Sequence, residues 1–214
     1  GLRFGYGDKE VISRADFALN KGETAALTGI SGGGKSTLFM LLLGAYRPDG
    51  GEIRFVSRSG EFPPGQETRR IFAYVPQGNC LFSGTIRENI AFLNDTEISD
   101  EAVMQAAKAA CADEFITQLP EGLDTHIGEN GHGLSEGQAQ RIAVARALFS
   151  GAGFLLLDEA TSALDEQTER RLLENISEMD GKTVLIVTHR PAALEICSRK
   201  LTLRNGVISE DDGE

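Results

Sequence analysis

Gly29-Ile30-Ser31-Gly32-Gly33-Gly34-Lys35-Ser36-Thr37 is the stretch whose reading decides the fold. It fits G-x-x-x-x-G-K-[ST], a loop that cradles phosphates between a strand and a helix. Thr24-Ala25-Ala26-Leu27-Thr28 before it reads as a buried strand. Leu38-Phe39-Met40-Leu41-Leu42-Leu43 after it reads as the first turns of a buried helix. The loop therefore lies in the context that the pattern requires. Its glycines allow positive φ and let backbone N–H groups approach phosphate oxygens, and the helix N-terminus adds partial positive charge. Gly29, Ser31, Gly32, Gly33, Gly34, Lys35, Ser36 and Thr37 are thus the candidate triphosphate-binding residues. Lys35 can reach the β- and γ-phosphates, and the Ser36 hydroxyl can ligate Mg²⁺. A glycine-rich turn that matches by accident is the bland alternative, and the flanking strand and helix weigh against it.

Outward from the loop, Leu2 to Tyr6, Glu52 to Val56 and Ile71 to Val75 also read as strands. Thr85-Ile86-Arg87-Glu88 looks like a capping box opening a short helix. Asp100 to Gln118 reads as one helix, with Val103, Ala106, Ala107, Ala110 and Cys111 on one face. A further helix runs from about Glu136 to Ser150. Strand character returns at Phe154 to Asp158 and at Thr183 to Val187, with a helix through Leu172, Leu173 and Ile176 between them. Continuous apolar strands alternating with helices imply a parallel sheet covered on both faces. Asn205-Gly206 between Leu201–Arg204 and Val207–Ser209 is a type I′ hairpin signal. The expected layout is one domain over residues 1–214. Its α/β core occupies about 1–77 and 151–214, and a helical insertion occupies about 78–150. No internal repeat is visible.

The bulk properties exclude some classes. Hydrophobic content of 41% and charged content of 25% are ordinary for a globular protein with a real core. The run Leu38 to Leu43 is too short to cross a bilayer, and no charged-then-apolar leader opens the chain. Gly1 in place of an initiator methionine reads as a piece excised from something longer. A net charge of −11 argues against nucleic acid as a partner, since that binding relies on basic residues. Arg69-Arg70 and Arg199-Lys200 read as solvated surface. Cys80, Cys111 and Cys197 are odd in number, lack metal-ligand spacing and read as reduced thiols. The acidic tail from Ser209 to Glu214 reads as frayed.

Three further segments carry chemistry. Asp158-Glu159 closes the strand Phe154–Asp158 at its carboxyl end, where ligands bind in open α/β sheets. Asp158 is placed to hold Mg²⁺ through water, and Glu159 to act as general base for an attacking water. Two carboxylates capping the next helix is the competing reading. His189 follows the strand Thr183–Val187 at the same edge, where an imidazole suits a γ-phosphate or the Glu159–water pair. Gln77, after Pro76, closes the strand Ile71–Val75 and is a candidate sensor of the metal or γ-phosphate. Finally, Ser135-x-x-Gln138 in Leu134-Ser135-Glu136-Gly137-Gln138 is a capping box whose exposed N–H groups suit an anion. One anion site is already supplied by the loop at 29–37. A second makes most sense facing a nucleotide held by another copy.

Taken in order, the phosphate-binding loop, Gln77, Leu134 to Gln138, Phe154 to Glu159, Ser162-Ala163-Leu164-Asp165 and His189 resemble the ATP-binding cassette ATPases over nearly the whole chain. The resemblance implies a P-loop NTPase core with a mostly parallel sheet, an antiparallel β part and a helical subdomain carrying the signature Leu134–Gln138. It implies ATP and Mg²⁺ as cofactors, and a second nucleotide-binding domain, identical or similar, as partner. Ser135 and Gly137 would then touch the γ-phosphate held by the partner, Asp165 would couple the two sites, and Tyr6 would stack on adenine. Ser36, Gln77 and Asp158 would form the metal set.

Leu81 to Ile90 and Gly128-Glu129-Asn130-Gly131 look like the exporter branch. There the ATPase follows a fused membrane domain and works at the cytoplasmic face of the cell membrane. Glu136 departs from the family's usual glycine at the third signature position; it is expected to face away from the partner's phosphate. The rival readings are a soluble clamp ATPase, an importer subunit, and a regulatory module that binds ATP without hydrolysing it.

Overall fold

The computed structural model describes residues 1–78, 80–92 and 98–210. Of the tail expected to fray, Ser209 and Glu210 are paired within the last strand, and positions 211–214 lie outside the described residues. Among the described residues, twelve strands and seven α-helices follow in chain order. The first half holds β1 (Leu2–Tyr6), β2 (Lys9–Ala15), β3 (Thr24–Thr28), α1 (Lys35–Leu42), β4 (Phe55–Ser57), β5 (Gly60–Phe62), β6 (Phe72–Val75) and β7 (Gly84–Thr85). Then come α2 (Ile86–Ile90), α3 (Asp100–Ala109), α4 (Asp113–Gln118), β8 (His126–Ile127) and α5 (Glu136–Phe149). The chain closes with β9 (Phe154–Asp158), α6 (Glu166–Ser177), β10 (Thr183–Val187), α7 (Pro191–Ile196), β11 (Arg199–Arg204) and β12 (Val207–Glu210).

Eight strands form one sheet in the order β1-β2-β12-β11-β3-β10-β9-β6. From β11 to β6 every pairing is parallel. β12 turns back antiparallel on β11, and β1 pairs antiparallel with β2. The fold is therefore α/β, mostly parallel with an antiparallel part. The β11–β12 hairpin turns at Asn205 and Gly206, both at positive φ (51° and 76°), as a type I′ turn requires.

The central strands are buried on both faces, and alternation sorts their side chains. Leu156, Leu185, Leu27 and Val187 pack with Leu38, Phe39 and Leu41 of α1. Leu155, Leu157, Val184 and Ile186 pack on the other face with Ile142 of α5 and Leu172, Leu173 and Ile176 of α6. Each such side chain removed from water contributes roughly 1.5–3 kcal/mol. α5 is buried nearly all round, which a core helix requires. It carries α2 and α3 against it.

Four local expectations are corrected. The single helix expected over Asp100–Gln118 is two helices, broken where Cys111 adopts φ 56°. Cys111 to Asp113 turn the chain so that Phe115 and Ile116 also reach the core. The strand expected at Glu52–Val56 starts at Phe55 and pairs as a small hairpin with Gly60–Phe62. The strand expected at Ile71 begins one residue later, after a 3-10 turn over Thr68–Ile71. Arg69 and Arg199 are not simply solvated: Arg69 donates to the carbonyls of Leu43 and Gly44, and Arg199 to Ala18 O and Glu23.

Candidate active site

The loop expected to hold phosphate runs from the end of β3 to the start of α1. Gly34 caps α1 at φ 101° and offers no side-chain cap, so the first-turn N–H groups have no side-chain acceptor. Gly29 is dictated twice: its φ is 141°, and a Cβ there would lie 2.3 Å from the Leu203 carbonyl oxygen. Lys35 is 6% exposed, and its Nζ donates to Gly29 O at 2.7 Å and Ile30 O at 3.0 Å. Its charge is thus held over the concave side of the loop, bound only to carbonyls.

Around this loop lies a polar cleft of about 140 Å³ lined by Ser31, Gly32, Gly34, Lys35, Ser36, Thr37, Gln77, Asp158 and Glu159. The register explains the assembly. β9 pairs in parallel with β6 and β10, so the carboxyl ends of these strands deliver Gln77, Asp158 and Glu159 to the edge where the loop leaves β3. Asp158 is 3% exposed, and its Oδ2 accepts from the Tyr74 hydroxyl at 3.4 Å. Burial first, and the Asp158 charge second, push the Tyr74 hydroxyl well above its ordinary pKa, so it stays protonated. Glu159 has φ 51°, an uncommon backbone for a residue with a Cβ. Its N–H donates to Val187 O at 3.1 Å, and its Oε2 accepts from Gln77 Nε2 at 2.9 Å. The buried carboxylate of Asp158 and the exposed hydroxyl and amide oxygens of Ser36 and Gln77 are hard donors of the kind Mg²⁺ takes alongside phosphate, so these three residues fit such an ion.

Several expected residues fall outside the cleft. His189 is exposed just beyond β10 and does not line it. Tyr6 is half exposed, with its hydroxyl 3.2 Å from Thr37 Oγ1 and its ring edge-on to Phe4 and Tyr46. Gly33 belongs to the loop, but its N–H is spent on Ile30 O at 3.0 Å.

None of Leu134 to Gln138 lines the cleft either. Ser135 caps α5: its Oγ accepts from Gln138 N at 3.2 Å, and Gln138 Oε1 accepts from Ser135 N at 2.9 Å. Glu136 is exposed in the first turn. At Gly137 a Cβ would come within 2.9 Å of Ala163 O, so the glycine lets α5 approach the turn before α6. Asp165 caps α6, accepting from Thr168 N at 2.9 Å and Thr168 Oγ1 at 2.7 Å. Those bonds hold its carboxyl below the ordinary carboxylate range.

Sequence reasoning missed Arg190 and Gln140, which tie these pieces together. Neither forms part of a chemical motif, and only their bonding partners reveal them.

A family model described as ABC transporter matches residues 12–162. The chain is 43% identical over 204 residues to an ATP-dependent lipid A-core flippase of Vibrio cholerae, covering 95% of this chain and 35% of that protein. An uncharacterised ABC transporter ATP-binding protein of Bacillus subtilis is 44% identical over 203 residues, again 95% of this chain and 35% of that protein. Among solved structures, a bacterial Atm1-family ABC exporter with ATP bound matches with a TM-score of 0.89 and 37% identity, over 98% of this chain and 37% of that one. The chain thus spans 35% of the length of the first two of these relatives.

Proposed function

Given that this chain belongs to the ABC transporter family, whose domains of this kind bind and hydrolyse ATP, we propose that it powers an exporter of the flippase kind. It does so as one half of a head-to-tail pair closed on two ATP. The observation that carries this reading is the cleft in which residues 31–37 meet Gln77, Asp158 and Glu159. The first-turn N–H groups of α1 and Lys35 take the phosphates, releasing Lys35 Nζ from the two loop carbonyls. Tyr6 stacks on the adenine. Ser36, Gln77 and Asp158 would hold Mg²⁺, which neutralises phosphate charge when bound.

Glu159 accepts the proton of the attacking water. Its left-handed backbone and the Gln77 amide fix the carboxylate at the mouth of the cleft. His189, exposed at the same sheet edge, approaches the γ-phosphate when the pair closes. Ser135 and Gly137 serve the nucleotide of the partner, a role supported by their standing on the surface away from this chain's own cleft. Asp165 couples the two sites. The helical part, about 78–150, forms one arm of the domain, with the core at about 1–77 and 151–214. Among the described residues no helix is long and apolar enough to cross a membrane. In this reading a membrane domain fused N-terminal to the chain supplies the pathway, and the chain works at its cytoplasmic face. Leu81 to Ile90 and Gly128 to Gly131 meet that domain.

The test is Glu159→Gln. Turnover should fall roughly 10²–10⁴-fold, while ATP binding survives and an ATP-dependent dimer accumulates in sedimentation. Turnover equal to that of the parent refutes the role.

A further inference from the structure

Three groups named above, Ser135, Asp165 and His189, sit on different elements. A single polar network joins those elements. Gln140, one turn beyond the start of α5, is 1% exposed. Its Nε2 donates to Ser162 Oγ at 3.0 Å, and its Oε1 accepts from Ala163 N at 3.0 Å. Both bonds fall on the turn that leads into Asp165. Gly137, three residues earlier on the same face, is the glycine whose missing Cβ lets that turn come close.

From the other side, Arg190 reaches the same turn. Its Nη1 donates to Thr161 O at 2.8 Å, Ser162 O at 3.3 Å and Leu164 O at 2.6 Å. Its Nε lies 3.0 Å from Glu169 Oε2, a charge contact without hydrogen-bond alignment. Glu169 is 0% exposed, and its other oxygen accepts from Thr161 Oγ1 at 2.6 Å. Arg190 adjoins His189 and immediately precedes α7. The turn at 161–165 is thus bonded to α5 through Gln140, to α6 through Glu169 and to the His189 segment through Arg190. A buried amide bonded at both ends, and a buried carboxylate bonded through one oxygen and charge-paired through the other, favour one geometry because a shift strands a polar group out of water.

We infer that Gln140, Glu169 and Arg190 are positioning residues that lock Ser135, Asp165 and His189 into one rigid unit. On closure of the pair, that unit brings Ser135 and Asp165 to the partner's site while His189 meets the chain's own nucleotide. None of the three positioning residues touches nucleotide in this account, and none lines the cleft. The inference rests on the head-to-tail pairing proposed above.

The experiment compares Gln140→Met, Arg190→Lys and the double variant in a Glu159→Gln background, where ATP-bound pairs persist. Fluorescent ATP titration reads single-chain affinity, and sedimentation reads the dissociation constant of the ATP-bound pair. The unit predicts that each variant weakens the pair about tenfold with ATP affinity within about twofold, and that the double variant falls short of the product of the two. Should Gln140→Met fail to fold, Ser162→Ala, which removes one of Gln140's two bonds, weakens the pair about threefold.

Lowered thermal stability with unchanged pairing would reduce the network to a structural role and overturn the inference. Equal loss of ATP affinity would do the same by placing the residues in the chain's own cleft. A Glu159→Gln parent that stays monomeric in ATP overturns the head-to-tail reading first, and the inference with it.

Discussion

Gln77 Nε2 donates to Glu159 Oε2 across 2.9 Å, joining the carboxyl ends of the neighbouring parallel strands β6 and β9. The amide occupies one oxygen of the proposed base and leaves the other for water. Gln77 is exposed, so its loss threatens the fold little. Gln77→Ala should lower turnover about ten- to hundredfold with melting temperature unchanged. Steady-state kinetics alongside a thermal melt checks this, and full turnover in the variant would sever Gln77 from the mechanism.

Gly29 and Gly32 both take positive φ, yet they answer to different constraints. At Gly29 a Cβ collides with Leu203 O, whereas at Gly32 (φ 72°) it meets open space. Gly29→Ala should therefore cost roughly 2–4 kcal/mol of stability, from strain plus overpacking. Gly32→Ala should cost about 1 kcal/mol, for the left-handed backbone alone. Urea unfolding of the two variants measures the contrast. Equal costs would mean that the contact between the loop and β11 is not rigid.

Asp165 offers a pH test. Its carboxyl is held below the ordinary value of 3.8 by the Thr168 side chain and backbone. A group whose folded pKa is lowered stabilises the fold above its unfolded pKa and loses that contribution as pH falls through its folded pKa. Asp165→Ala should thus be less stable than the parent at pH 7, and the gap should close as pH falls below about 3.8. Urea midpoints measured from pH 7 down to pH 3 follow it; a gap that stays constant would rule out an ionised cap.

Much of this was legible in the sequence because it depends on local rules. The loop at 29–37 needs glycines at fixed places, both capping boxes pair a hydroxyl with an acid or amide three residues on, and Asn205-Gly206 dictates its turn. The break at Cys111 was not legible, because Ala107 to Phe115 keeps an apolar face throughout and no glycine or proline marks the turn. Nor was strand β2, whose Lys9-Glu10-Val11-Ile12 gains its place by pairing with β1 and whose Arg14 pairs with β12. Gln140, Glu169 and Arg190 belong to the same group. As residue types they look like surface, and only the packing of α5, α6 and α7 around one turn buries Gln140 and Glu169 and bonds Arg190 to that turn.

The central claim is that each site is completed by the signature of another copy, and mixing two defective chains tests it most directly. Lys35→Ala removes the phosphate contact but leaves Ser135 intact. Ser135→Arg blocks the signature but leaves the loop intact. Neither chain alone should hydrolyse ATP, yet a head-to-tail heterodimer of the two contains one complete site. Random pairing at equal concentrations should then restore about a quarter of the parent's ATPase activity. A mixture no more active than the sum of its parts would contradict a site shared between copies.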